Sequence, residues 1–184
     1  MDKDRLNLIK SAIEGSKEAL SSVIKNEENN IYSTLFYLKK DDEDISDIMQ
    51  NVLLKLATRI KTLKNPQYFK TWLNRIIINS YYDYLRKTRK NSNNIDIAPI
   101  SNDIKDNSIN PWDSILQKEL DNIIKKSINN LPNHYKIPIT LREIQGLSYE
   151  DISNITNISI GTVKSRIARA RGIIKNEIDK YTKN

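Results

Sequence analysis

From Gly161 to Arg171 the chain carries Thr162, Lys164, Ser165, Arg166, Arg169 and Arg171, with Ala168 and Gly161 as small residues among them. That mixture suits recognition of nucleic acid: cations and hydroxyls reach phosphates and base edges, and small residues let a backbone approach a groove. A second set with related chemistry lies upstream, where Tyr68, Trp72, Arg75, Asn79, Tyr82 and Arg86 alternate rings with cations and an amide. Rings stack on unpaired bases for about 1–3 kcal/mol each, while arginines follow the phosphates. Catalysis finds no such set. His134 is the single histidine, cysteine is absent, and neither a glycine-rich phosphate loop nor a nucleophile with a matching base occurs, so no metal or cofactor site is expected. The acids Asp41, Asp42, Asp44 and Asp47 offer oxygen ligands for magnesium, but a solvated turn is the simpler reading.

The downstream set needs a helix delivered by a tight turn. Ser148 followed by Asp151 is a capping-box-like start, and Ser159 makes a second one, each hydroxyl matching an orphan amide of a first turn. Thr156, Asn157 and Ile158 stand between the two starts, and Asn tolerates the left-handed backbone such turns use. Ile160, Val163, Ile167, Ala170 and Ile174 recur at helical spacing as a buried stripe, which leaves Gly161, Ser165, Ala168, Arg169 and Gly172 opposite, flanked by Thr162, Lys164 and Arg166. The reading is a helix-turn-helix with a basic second helix; taken alone, a merely solvated basic face competes with it.

The upstream set needs a helix too. Asn65-Pro66 signals a loop and a helix start. Beyond it, Phe69, Leu73, Ile76, Ile77, Ser80 and Tyr84 form a core stripe, and the aromatic and basic set lines up opposite. A second packing interface for Trp72 competes with base stacking, given how much area an indole buries. Before that loop, Ile45, Met49, Val52, Leu53, Leu56 and Ile60 share one face of a helix, with Asp47, Gln50 and Leu54 on the other. A leucine rimmed by an acid and an amide is built like an anchor for a partner protein, although single exposed leucines are also ordinary.

These motifs resemble one family. Leu131-Pro132, the run Gly146 to Ile152, Gly161 to Arg166 and Arg169-Ala170-Arg171 look like the promoter-reading carboxy-terminal domain of bacterial sigma factors of the sigma-70 family, in particular the extracytoplasmic-function (ECF) type. The pattern of Phe69, Trp72, Leu73, Ile76, Asn79, Asp83 and Arg86 resembles the sigma module that recognises and melts the minus-10 element, and Asp47, Gln50 and Leu53 resemble the segment that docks on core RNA polymerase. The resemblance implies core-polymerase contacts from Asp47, Gln50, Asn51 and Leu54 to the clamp helices of the largest subunit, with Asn51 standing where the family commonly has an acid. It implies minus-10 contacts from Thr62, Leu63, Lys64, Asn65, Tyr68, Trp72, Arg75, Asn79, Tyr82 and Arg86, the first four in a loop that captures a flipped base. It implies minus-35 contacts from Gly161, Thr162, Lys164, Ser165, Arg166, Ala168 and Arg169. Further partners implied are the polymerase flap region and an anti-sigma factor.

Composition agrees. Few glycines and no alternating apolar pattern favour an all-α fold, and a net charge of +7 over 184 residues suits a polyanionic partner. Residues 1–90 and 131–184 carry the excess cations, while residues 91–130 are slightly acidic. Two small helical domains are therefore expected, 1–90 and 112–184, joined by a flexible Asn- and Ser-rich linker over 91–111. By the resemblance, Asp96, Asp103 and Asp106 in that linker could mimic nucleic acid inside the polymerase; a plain solvated tether is the simpler alternative. Trp112, Ile115, Leu116, Leu120, Ile123, Ile124 and Ile128 predict a helix opening the second domain. Pro138 requires that the next helix either begin near Ile137 or kink. Two short helices are expected around Gly15-Ser16. No membrane-length apolar run and no signal peptide occurs, so the expected location is the cytoplasm, at the nucleoid.

The function expected is promoter-specific initiation by a non-enzymatic polymerase subunit. Two alternatives predict different behaviour. A helix-turn-helix regulator that is no sigma subunit has no use for Leu54, and a metal-dependent nucleic-acid-processing enzyme would need Asp44 or Asp47.

Overall fold

A computed structural model describes residues 3–39, 42–91 and 122–182, and every regular element among them is helical. Linker residues 92–111, with Asp96, Asp103 and Asp106, lie outside the described residues, as do Asp41, Trp112, Ile115, Leu116 and Leu120.

The first two helices, α1 (Lys3–Glu14) and α2 (Lys17–Leu38), make a hairpin turning at Gly15, whose φ of +110° only glycine adopts without strain. Ser16 caps α2 by accepting from the Ala19 N–H at 3.1 Å. Two short helices were expected here; α2 instead runs on as one long helix, because Val23, Ile31, Leu35 and Leu38 continue a single buried stripe. Glu27 lies in that stripe, and its buried carboxylate is paired by Arg5 and by Asn30 Nδ2, as a buried charge requires.

Helix α3 (Asp42–Arg59) buries Ile45, Ile48, Val52 and Leu56 against the hairpin, with Met49 and Leu53 half-buried at the margin. Two 3₁₀ turns, Ile60–Thr62 and Pro66–Tyr68, then lead into α4 (Phe69–Asn91). The expected core stripe Phe69, Leu73, Ile76, Ile77 and Ser80 is buried, with Tyr84 half-buried. A second stripe is buried as well: Asn74, Ile78 and Tyr81, which continue the spacing of half-buried Thr71.

The carboxy-terminal unit explains that second stripe. It comprises α5 (described over 122–130), α6 (Asn133–Ile139), α7 (Tyr149–Thr156) and α8 (Ile160–Thr182). Thr71 at one end of the stripe bonds to α7, and Tyr81 at the other donates between the Leu38 carbonyl (3.1 Å) and Asn133 Oδ1 (3.0 Å). The buried Lys136 ammonium also donates to the Leu38 carbonyl at 3.4 Å. Burial pushes the Tyr81 phenol up to about 12, so it stays a neutral donor at physiological pH.

Pro138 sits neither in a first turn nor at a simple kink. Helix α6 starts at Asn133, directly after Pro132, and Pro138 is its penultimate residue. Proline brings no N–H to the ladder, and the chain then widens into a π turn, Thr140–Ile144, closed by the Gln145 N–H bonding to the Thr140 carbonyl at 3.2 Å. Gly146, with φ +61°, ends it: its N–H reaches the Arg142 carbonyl and the Leu147 N–H the Leu141 carbonyl, both at 3.1 Å. Each bond spans one residue more than in a Schellman stop, in keeping with the widened turn, and the left-handed position falls on glycine as it does there.

Candidate nucleic-acid and partner interfaces

The helix-turn-helix is set by local chemistry. Ser148 Oγ accepts from the Asp151 N–H at 3.0 Å and donates to Asp151 Oδ2 at 2.7 Å, closing the box that starts α7. Asn157 takes the left-handed conformation, φ 55° and ψ 40°, and ends it. Ser159 Oγ then accepts from the Thr162 N–H at 3.1 Å and starts α8. Val163, Ile167 and Ala170 are fully buried, each larger side chain contributing about 1.5–3 kcal/mol. Ile160 departs from the expected stripe and is exposed, because it lies in the first turn beyond the edge of the core.

The opposite face of α8 presents Gly161, Lys164, Ser165, Ala168 and Arg169 exposed, with Thr162 and Arg166 half-buried. Ser165 Oγ donates to the Thr162 carbonyl at 3.0 Å, and Arg169 Nη1 lies 3.5 Å from the Tyr135 hydroxyl. One contributor has no periodic signal in the sequence: the Tyr149 ring lies under two cations, Arg142 at 4.7 Å and Lys164 at 5.6 Å. Such contacts hold a lysine over a ring face, so Tyr149 positions Lys164. Arg142 is itself fixed by donating to the Leu147 carbonyl at 2.7 Å.

On α3, Asp47, Gln50 and Asn51 are exposed and Leu54 is 64% exposed. Asn51 Nδ2 donates back to the Asp47 carbonyl at 2.8 Å. The result is a large apolar side chain in a polar rim.

Lys64 is exposed, whereas Leu63 is only 7% exposed and belongs to the core, so its side chain anchors the loop before α4. An apolar side chain beside the core is drawn inward even within a polar loop. Thr62 Oγ1 donates to the Arg59 carbonyl at 2.7 Å, and Asn65 Oδ1 accepts from the Gln67 N–H at 2.9 Å. Both polar side chains therefore brace the loop.

Tyr68, in the 3₁₀ turn, and Arg75, Asn79, Tyr82 and Arg86, along α4, are exposed. Trp72 is half-buried, packed on the core with its ring 6.0 Å from that of Phe69. Arg86 pairs with Asp83 at 2.5 Å, and Lys55 reaches the same carboxylate from α3 at 3.0 Å. Those two partners hold the Asp83 carboxyl below its ordinary value, Lys55 contributing most. Arg75 spends its guanidinium on the Asn154 carbonyl of α7 at 2.5 Å.

Comparison with known proteins decides the family. The family model described as Sigma-70 region 2 matches residues 23–91, and the one described as Sigma-70, region 4 matches residues 121–173. The chain is 34% identical over 180 residues to an ECF RNA polymerase sigma-E factor of Haemophilus influenzae, covering 93% of each protein. The chain belongs to the ECF sigma-70 family. A further ECF sigma-E factor, from Escherichia coli, is 35% identical over 141 residues, or 73% of this chain and 74% of that protein. Two solved structures share the fold. One is CnrH in complex with the cytosolic domain of CnrY (TM-score 0.67, 18% identity, 96% of this chain and 97% of that one). The other is the sigma factor RpoE with the anti-sigma factor NepR from Bartonella quintana (TM-score 0.70, 22% identity, 86% and 96%). In this sigma factor α3 and α4 fall within region 2, and α7 with the first part of α8 within region 4.

Proposed function

We propose that this sigma factor binds core RNA polymerase and directs promoter-specific initiation, with α3 docking on the clamp helices, α4 and its preceding loop reading and holding the opened minus-10 strand, and α8 reading the minus-35 duplex. The observation that carries the reading is the union in one chain of a rimmed apolar anchor at Leu54 with a capped helix-turn-helix whose polar face is exposed. A regulator that is not a sigma subunit has no role for the first of these. Strand opening here draws on differences in binding energy, the polymerase performing the chemistry.

Asp47, Gln50, Asn51 and Leu54 are the proposed polymerase contacts. Thr62, Leu63, Lys64, Asn65, Tyr68, Trp72, Arg75, Asn79, Tyr82 and Arg86 are the proposed minus-10 contacts, the first four through the loop before α4. Gly161, Thr162, Lys164, Ser165, Arg166, Ala168 and Arg169 are the proposed minus-35 contacts. The flap region and an anti-sigma factor complete the proposed partners, and the cytoplasm is the proposed location, at the nucleoid; among the described residues no helix is long and apolar enough to cross a membrane.

The test is run-off transcription with purified core polymerase on promoter fragments from the source genome. Specific start sites that require the protein are expected. Sequence-specific DNA binding without initiation, under conditions where the polymerase works with another sigma, would reverse the conclusion.

A further inference from the structure

Arg169 is the longest side chain of the exposed stripe on α8, and Ser165 and Gly172, one turn to either side, are too small to hold it. An arginine so placed has many rotamers, and a contact that needs one of them must first order the rest. Support comes from another helix: Arg169 Nη1 donates to the Tyr135 hydroxyl on α6 at 3.5 Å. Tyr135 is itself well fixed. Its N–H bonds to the Pro132 carbonyl at 2.9 Å in the first turn of α6, and its half-buried ring packs against the core. The His134 ring lies 4.0 Å from it, tilted by 53°. A phenol on such a mount accepts one of the five N–H groups of a guanidinium and leaves four, enough for the fork that meets guanine O6 and N7. Both residues lie within the stretch matched as region 4, so the contact is internal to the minus-35 reading unit.

We propose that Tyr135 is a positioning residue for minus-35 specificity: its hydroxyl holds Arg169 in the rotamer that reads one guanine in the major groove. The inference rests on the proposed sigma function. Tyr135 acts through the arginine and makes no base contact of its own. Ordering the fork in advance favours a site where the fork is used, and does nothing for a site that lacks the guanine. The hydroxyl therefore acts on discrimination at a single base pair, whereas the phosphate contacts that supply most of the affinity are untouched.

Tyr135→Phe removes the acceptor and keeps the ring, so the packing of α6 survives. Holoenzymes of core polymerase with the full chain are compared in run-off transcription on a responsive promoter and on fragments carrying each single minus-35 substitution. Arg169→Ala identifies the position that Arg169 reads, as the G·C pair whose preference it abolishes. At that pair Tyr135→Phe is expected to lower the preference about three- to tenfold, with every other position unchanged. In an Arg169→Ala background it is expected to have no effect, as a contact made only through Arg169 requires. An unchanged preference at that pair, an equal loss at all positions, a loss that persists without Arg169, or the absence of any pair that depends on Arg169 would each overturn the proposal. A parent holoenzyme that initiates on no fragment sinks the sigma reading instead. Positioning is then judged in the free chain by nitrogen-15 relaxation of the Arg169 Nε–H group, which reports motion on the ps–ns timescale. Its order parameter is expected to fall in Tyr135→Phe, and equal values in parent and variant would overturn the positioning role.

Discussion

Lys55 on α3 donates to Asp83 Oδ2 and to Ser80 Oγ on α4, each at 3.0 Å. The helix proposed to dock on polymerase is thereby fastened to the helix proposed to hold the melted strand. Asp83→Asn is expected to cost under about 1 kcal/mol at neutral pH, because the pair is partly exposed and screened. A carboxyl depressed in the folded state adds stability above its unfolded value, near 3.8, and loses it as pH falls below that. Urea titrations should therefore show the parent ahead of the variant at neutral pH and the gap narrowing as pH falls below about 3.8.

Leu54→Asp puts a charge at the centre of the proposed docking patch, where desolvating it has no compensation. Loss of co-purification with core polymerase is expected, with unchanged circular dichroism and DNA binding, since Leu54 is exposed and supports no core contact in the fold. Retention of core enzyme at parental yield would remove α3 from the interface.

Arg169→Ala should relax minus-35 recognition by roughly 10- to 100-fold, the range a good base contact supplies. Competition between promoter and scrambled duplexes measures it directly. A variant whose preference ratio equals the parent's would show that Arg169 contacts only phosphate, or nothing.

Asn79→Ala is expected to leave polymerase affinity intact and to impair opening. Asn79 is exposed on α4, beyond the core stripe, so the fold tolerates its loss. With 2-aminopurine placed in the minus-10 element, the fluorescence rise on mixing with holoenzyme should fall several-fold; an undiminished rise would take Asn79 out of the opening step.

Much of the helix-turn-helix was legible because its determinants are local. Ser148, Asn157 and Ser159 each act on residues within a turn of themselves, and such chemistry is written in short windows. Leu54 was legible through periodicity alone. What escaped depends on contacts remote in sequence. The spacing of Ile78 and Tyr81 admits either face of α4, and only the second unit, arriving through Asn133, makes their stripe a buried one. Gln145 and Lys136 are polar types expected at a surface, and they are buried because Thr34 and the Leu38 carbonyl await them.

The π turn at Thr140–Ile144 holds one residue more than an α-helix of the same rise. Each residue advances a helix by about 100°, so that surplus sets the phase in which the chain leaves toward α7. Removing one residue there would swing the reading helix by about 100°, a little over a quarter of a revolution, while leaving every capping residue and every residue of its exposed face unchanged in the sequence. Chains with the same motif and a different length at this point would therefore aim it elsewhere, and alignment gaps at 140–144 carry geometric meaning.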